Sequence, residues 1–140
     1  MQSTGDIQGL NVIWVFNRAA DKVLMCKRRK NPYIGLYNLV GGKIEPCEDG
    51  LEAAYRELVE ETGISDITLI HLMDFTYYQA DSCRVEVYVG WLRDDVDVYG
   101  EENDLVWIDV GENFFDMEHF AGESNIGHIY EIIKLNMDRL

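Results

Sequence analysis

Apolar positions divide this chain into short blocks with two different periods. Residues 11–18 and 22–28 are rich in β-branched, aliphatic and aromatic side chains. They predict two strands joined by a turn at Ala19-Ala20-Asp21. Residues 30–35 contain Asn31-Pro32 and read as a loop, followed by a short strand over 36–40 that ends at Gly41-Gly42. Asp49 and Gly50 open a helix running to about Thr62, with Gly63 as its C-cap. Residues 67–78 and 84–92 alternate and predict long strands, 94–104 is an acidic loop, and 105–110 is a further strand. Ile126, Tyr130, Ile133 and Met137 recur at helical spacing, predicting a helix over 126–140. Strands on both sides of a central helix, with a second helix at the end, predict an α/β layer fold with a mixed sheet.

The 140 residues suit one domain, 1–140. Against 12 Lys and Arg stand 26 Asp and Glu, a formal charge of −14. Such a chain repels a nucleic-acid polymer, yet it can take a small phosphate ester if cations are supplied locally. No apolar run approaches the ~18–20 residues of a membrane span, so no membrane partner is expected. The first apolar run, 12–16, is short and no Lys or Arg precedes it, which argues against a secretory signal and for a cytoplasmic location. Cys26, Cys47 and Cys83 form no CxxC pair, so reduced thiols are expected, without a disulfide or zinc knuckle.

The central helix violates local rules. Leu51, Ala54, Tyr55, Leu58 and Thr62 share one face and are expected to pack on the sheet. Glu57, Glu60 and Glu61 share another, where like charges cost ~0.2–0.5 kcal/mol per pair. They also occupy the last two turns, where the helix dipole disfavours each anion by ~0.3–1 kcal/mol. A solvated acidic face, with Arg56 paired to Glu52 or Glu60, is one explanation. A functional site that sacrifices stability is the other. A calcium loop starting at Glu45 fails, because Cys47 and Arg56 would fall at oxygen-ligand positions.

Flanking residues shift the balance. Gly42 is followed, after five intervening residues, by Glu48; seven more lead to Arg56-Glu57-Leu58, then Glu60-Glu61 and Gly63-Ile64. Residues 42–64 thus resemble the Nudix box, G-x5-E-x7-R-E-U-x-E-E-x-G-U with U a bulky aliphatic, at every fixed position. The likeness extends to nearly the whole domain. It implies a Nudix-type α/β/α sandwich with a mixed β-sheet, and hydrolysis of a nucleoside diphosphate linked to another group with a divalent ion, Mg²⁺ or alternatively Mn²⁺. By this resemblance Glu57, Glu60 and Glu61 are metal ligands and Arg56 orients Glu57, with Glu48 anchoring the loop to the helix. The carbonyl of Gly41 is a further candidate ligand, since a Gly-Gly turn admits close approach. Among MutT-type members a glutamate six residues before a Trp positions the water; Glu101 precedes Trp107 by six, with Glu102 and Asp104 as neighbouring candidates.

Residues 36–43 resemble the W-N-x-x-G-G-K stretch of oxidised-purine nucleoside triphosphatases, although Tyr37 stands where that pattern has Trp. The resemblance makes Asn38 the base reader, its amide able to pair with a purine edge. Arg18, Lys22, Lys27, Arg28, Arg29, Lys30 and Lys43 are seven of the 12 basic residues, so Lys27, Arg28, Arg29 and Lys43 are candidates to meet phosphates. Stretches 114–117 and 120–125 are candidates to line the same cleft. Phe75, Tyr77, Phe115 and Phe120 are either stacking partners or core. The expected activity is Mg²⁺-dependent hydrolysis of a nucleoside triphosphate such as 8-oxo-dGTP to the monophosphate and pyrophosphate. Nucleotide sugars, dinucleoside polyphosphates and ADP-ribose are alternative substrates. ADP-ribose-cleaving relatives usually carry a proline beyond the box, and none follows Pro46 here. A nucleotide-sensing module without turnover is the remaining alternative, but it has no chemical need for all three helix glutamates. The expected partner is a small-molecule nucleotide, and the expected assembly a monomer or homodimer.

Overall fold

Residues of the first strand, β1 (Gln8–Phe16), alternate between two separate cores, so the sheet is covered on both faces. Trp14 and Phe16 enter one cluster, Ile13 and Val15 the other, and all four are buried. The computed structural model describes residues 7–78, 82–98, 100 and 103–140. After β1 come β2 (Lys22–Lys27), β3 (Tyr37–Leu39), α1 (Gly50–Thr62), β4 (Ile70–Tyr77), β5 (Cys83–Trp91), β6 (Asp104–Asp109) and α2 (Asn125–Leu135), with a 3₁₀ turn at Met137–Arg139. The six-stranded sheet runs β3-β2-β1-β5-β4, with β6 on the other edge of β2. It is mixed, because β1 and β5 run parallel and the other pairs antiparallel.

The α2 face buries Trp14, Phe16, Val23, Met25, Val85, Val87 and Val89 against Ile126, Ile129 and Ile133. Trp14 also stacks on Tyr130, centroids 4.9 Å apart and 5° from parallel. The α1 face buries Ile13, Val15, Leu24, Val40 and Tyr88 against Ala54 and Leu58. Full burial of a side chain like Leu58 contributes ~1.5–3 kcal/mol. Among the described residues no helix is long and apolar enough to cross a membrane.

The expected strands and helices form, with shifted ends. The fourth strand begins at Ile70, because Ile67 and Leu69 turn under α1 into its core instead of pairing. The last helix stops at Leu135: Asn136 leaves helical backbone angles and its side chain caps the Ile132 carbonyl at 2.7 Å, leaving Met137 outside the helix and exposed. β1 and β2 are in register only at Phe16 and Val23. Beyond that point they splay, and the segment from β3 onward bridges them, pairing first with β2 and then, through Val40 and Lys43, with β1. This splay positions the site.

Candidate active site

Asp49 caps α1 by accepting from the Leu51 N–H at 3.2 Å, and Gly63 closes it in the left-handed region, its N–H donating to the Val59 carbonyl at 2.9 Å. The buried residues are Ala53, Ala54, Leu58 and Thr62. Tyr55 is half-buried, its hydroxyl accepting from Leu69 N at 2.9 Å, whereas Leu51 is 39% exposed. The packed stripe is therefore rotated from the expected one, towards Ala53 and away from Leu51. That rotation brings Glu57 and Glu61 to the margin of the sheet rather than outward. Glu57's side chain is only 18% exposed, against 59% for Glu60.

The carboxylates meet the turn at Gly41-Gly42. Glu61 Oε2 accepts from Gly41 N at 2.9 Å. A Cβ on Gly42 would lie 2.5 Å from the Glu57 carboxyl carbon, so only glycine leaves room for that carboxylate. Gly41 has φ of +145°, and a Cβ there would lie 2.2 Å from the Asn11 carbonyl oxygen. Gly41→Ala is expected to cost at least ~1–3 kcal/mol through combined backbone strain and clash, read as a fall in the thermal midpoint.

Arg56 ties this face together. Its Nε and Nη2 grip Glu48 in a fork, at 2.6 and 2.9 Å, while Nη1 donates to Glu57 at 3.0 Å and to Glu60 at 3.1 Å. Nη2 also reaches the Lys43 carbonyl at 3.1 Å, so one guanidinium links the loop to the helix. These bonds from Arg56, helped by the Glu45 N–H, hold the Glu48 carboxyl down at about 2. Glu57 moves the opposite way: burial raises its pKa, and Arg56 only partly offsets this.

One cleft of about 610 Å³ collects Glu57, Glu60, Glu61, Gly41, Gly42, Lys43, Asn38 and Arg28. Its wall also includes Asn11, Cys26, Leu10, Val12 and Val85. Lys27 instead lies over the Tyr37 ring, 5.7 Å from its centroid, and Arg29 forms an ion pair with Asp104. Neither lines the cleft. Glu101 and Glu102 lie outside the described residues; Gly100 and Asn103 line the cleft. The C-terminal stretch goes elsewhere. Tyr37 N donates to the His119 carbonyl and Ala121 N to the Tyr37 carbonyl, both at 2.9 Å, so this stretch extends the sheet beyond β3. Phe75, Phe115, Glu123, Ser124 and Asn125 line a separate hollow of about 330 Å³, while Phe120 is buried and Tyr77 packs against the same core.

Comparison with known proteins places this geometry. The NUDIX domain family matches residues 8–126. The chain belongs to the Nudix family. Over 44 residues it is 46% identical to an ADP-ribose pyrophosphatase of Methanocaldococcus jannaschii, covering 31% of this chain and 26% of that protein. Over 56 residues it is 45% identical to a Bacillus subtilis protein provisionally named 8-oxo-dGTP diphosphatase, covering 40% of this chain and 34% of that one. The matched stretches thus span about a third or less of those relatives. The crystal structure of a MutT protein from Methanosarcina mazei superimposes with a TM-score of 0.77 at 19% identity, covering 96% of this chain and 99% of that one, a likeness of fold.

In this Nudix chain the donor set of the cleft fits a hard divalent cation. It offers carboxylate oxygens on α1 and the exposed backbone of a Gly-Gly turn. Glu48, Glu57 and Glu60 share the single guanidinium of Arg56, Glu61 reaches the Gly41 N–H beside them, and burial raises the Glu57 pKa. A second group was missed by the sequence reading. His71 Nε2, Asp74 and Glu86 bring ligand atoms within 4.8 Å of one another on the α1 face. A bulge between His71 and Met73 puts His71 and Asp74 on one side, where simple alternation would separate them. Glu86 is already held there by Arg84 at 2.9 Å and the Tyr88 hydroxyl at 2.6 Å.

Cys26, Cys47 and Cys83 form no disulfide among the described residues. Burial, reinforced by the charge of Glu61, pushes the Cys26 thiol up to about 12. Iodoacetamide at pH 8 is therefore expected to modify exposed Cys47 in the folded protein and to reach Cys26 only after unfolding, as read by peptide mass spectrometry.

Proposed function

We propose that this Nudix chain hydrolyses a nucleoside triphosphate, a modified purine such as 8-oxo-dGTP, to the monophosphate and pyrophosphate, using Mg²⁺ or alternatively Mn²⁺. The observation that carries the reading is the single cleft in which the acidic face of α1 meets Asn38, Arg28 and Lys43. Glu57, Glu60, Glu61 and the Gly41 carbonyl hold the ion. When bound, a divalent ion supplies neutralisation of phosphate charge and a water of lowered pKa. Arg56 fixes Glu57 and Glu60 so that their oxygens are oriented before substrate arrives. Arg28 and Lys43, which line the same cleft, meet the phosphates, while Lys27 and Arg29 stand outside it. Glu101 positions the attacking water. We place the reaction in the cytoplasm.

Asn38 reads the base with one hand. Its Oδ1 already accepts from Leu39 N at 2.8 Å, which leaves Nδ2 to donate to the C8 oxygen, an acceptor that 8-oxoguanine has and guanine lacks. Asn38→Ala is expected to reduce the preference for 8-oxo-dGTP over dGTP roughly tenfold, the value of about one hydrogen bond. An unchanged ratio of kcat/KM values removes Asn38 from this role.

The match to a relative named ADP-ribose pyrophosphatase supports a second reading, cleavage of a nucleoside diphosphate linked to a sugar. A panel of 8-oxo-dGTP, dGTP, ADP-ribose, a nucleotide sugar and a dinucleoside polyphosphate separates them, with pyrophosphate, nucleoside phosphates and sugar phosphate resolved individually by chromatography. Pyrophosphate from 8-oxo-dGTP in preference to the rest supports the first reading. Turnover of ADP-ribose alone supports the second, and no turnover of any substrate rejects both.

A further inference from the structure

Asn11 is the least expected residue in the cleft. It sits in the middle of β1 yet is 1% exposed, and it is polar where neighbouring β1 positions facing α1, Ile13 and Val15, are apolar. Its backbone N–H donates to the Gly42 carbonyl at 2.8 Å. An antiparallel ladder would return a bond from Gly42 N to a backbone carbonyl. Gly42 N instead donates to the side-chain Oδ1 of Asn11, at 3.1 Å. The Asn11 carbonyl lies against Gly41, where even a Cβ would not fit. The other half of the amide, Nδ2, is buried and has no partner among the described residues. A strand chosen for stability would not keep a half-satisfied amide at this position.

We propose that Asn11 is a positioning residue for the reaction: its Oδ1 replaces the ladder acceptor of Gly42 and so fixes the Gly41-Gly42 turn against Glu57 and Glu61. The turn is held from below by Asn11 and from above by α1, through the Glu61–Gly41 bond and the Glu57 carboxylate that fills the space beside Gly42. Without the Oδ1 bond, Gly42 N reverts towards the strand or loses its acceptor. The Gly41 carbonyl and both carboxylates then lose their common reference. This inference rests on the hydrolase reading above, since it assigns a role within that same site.

The test uses Asn11→Leu, which keeps the branched outline and heavy-atom count but removes both amide groups, and Asn11→Ser, whose hydroxyl is too short to span to Gly42 N. Three quantities are read: amide exchange of Gly42 by NMR, Mn²⁺ affinity by EPR titration, and kcat and KM separately. Expected are an unchanged or higher thermal midpoint for Asn11→Leu and faster Gly42 exchange in both variants. Mn²⁺ binding weakens at least fivefold and kcat falls at least tenfold, with KM moving less than threefold. Variants that keep kcat and Mn²⁺ affinity within twofold of the parent overturn the inference, and so does a Gly42 amide that exchanges no faster. If Asn11→Leu does not fold, Asn11→Ser alone decides by the same criteria. A parent chain that neither binds Mn²⁺ nor hydrolyses any nucleotide overturns the hydrolase reading itself; an active parent with equally active variants overturns only the role of Asn11.

Discussion

Glu57→Gln lowers kcat roughly 10²–10³-fold with saturating Mg²⁺ and leaves the protein folded. A carboxylate that holds a divalent ion against a phosphoanhydride is worth several kcal/mol in the transition state, and each 1.36 kcal/mol is tenfold in rate. The amide keeps the shape and can still meet Arg56, so the loss isolates the charge. Stability moves in the other direction. Burial raises the Glu57 pKa, so its ionised form is disfavoured in the folded protein. A carboxyl raised in this way contributes stability only below its unfolded pKa, and loses it as pH rises through the folded value. In EDTA at pH 7 the Gln variant therefore melts no lower than the parent, and its advantage shrinks as pH falls towards ~4.3, where the parent carboxyl is itself protonated. Glu60→Gln gives a comparable fall in kcat without the gain in stability, because that side chain is 59% exposed. Turnover within threefold of the parent in both variants excludes the α1 carboxylates as metal ligands.

Much of this site was legible because its spacing is local. Glu57, Glu60 and Glu61 fall on one helical face by arithmetic alone, and Gly41-Gly42 announces a tight turn. Arg56 meets Glu57 as foreseen, at 3.0 Å, and of the alternatives Glu52 and Glu60 it takes Glu60, at 3.1 Å; it also grips Glu48, which reaches it from the loop before the helix. Ala53 replaced Leu51 in the packed stripe because α1 is rotated to seat two carboxylates beside the sheet, a choice made by tertiary contacts and not by periodicity. The same holds for Asn11. Nothing within β1 marks it, since its function depends on a residue 31 positions away. The convergence of His71 with Asp74 was hidden by a bulge, which shifts the face of every residue after it. The stretches 114–117 and 120–125 were candidates to line the cleft, yet the backbone of 119–121 is captured by Tyr37 at the sheet edge.

Arg56→Lys is expected to reduce kcat roughly 10–100-fold, the usual range for a residue that orients metal ligands. Charge is conserved in this variant, so what is lost is shape. The guanidinium presents Nε and Nη2 to the two oxygens of Glu48 while Nη1 serves Glu57 and Glu60. An ammonium has three donors on one atom and cannot span three carboxylates and the Lys43 carbonyl. Glu57 and Glu60 then adopt wider ranges of orientation, and Mg²⁺ half-saturation rises together with the fall in kcat. A second measurement separates this from simple loss of fold. Arg56 holds Glu48 at about 2, below the ordinary carboxylate value, so the pair stabilises the protein above ~4.3 and that contribution disappears as pH falls through about 2. The gap in thermal midpoint between the parent and Arg56→Met is therefore widest above pH 5 and closes towards pH 2. A gap that stays constant over this range, or an Arg56→Lys variant with full kcat and unchanged Mg²⁺ dependence, shows that the fork does not organise the site.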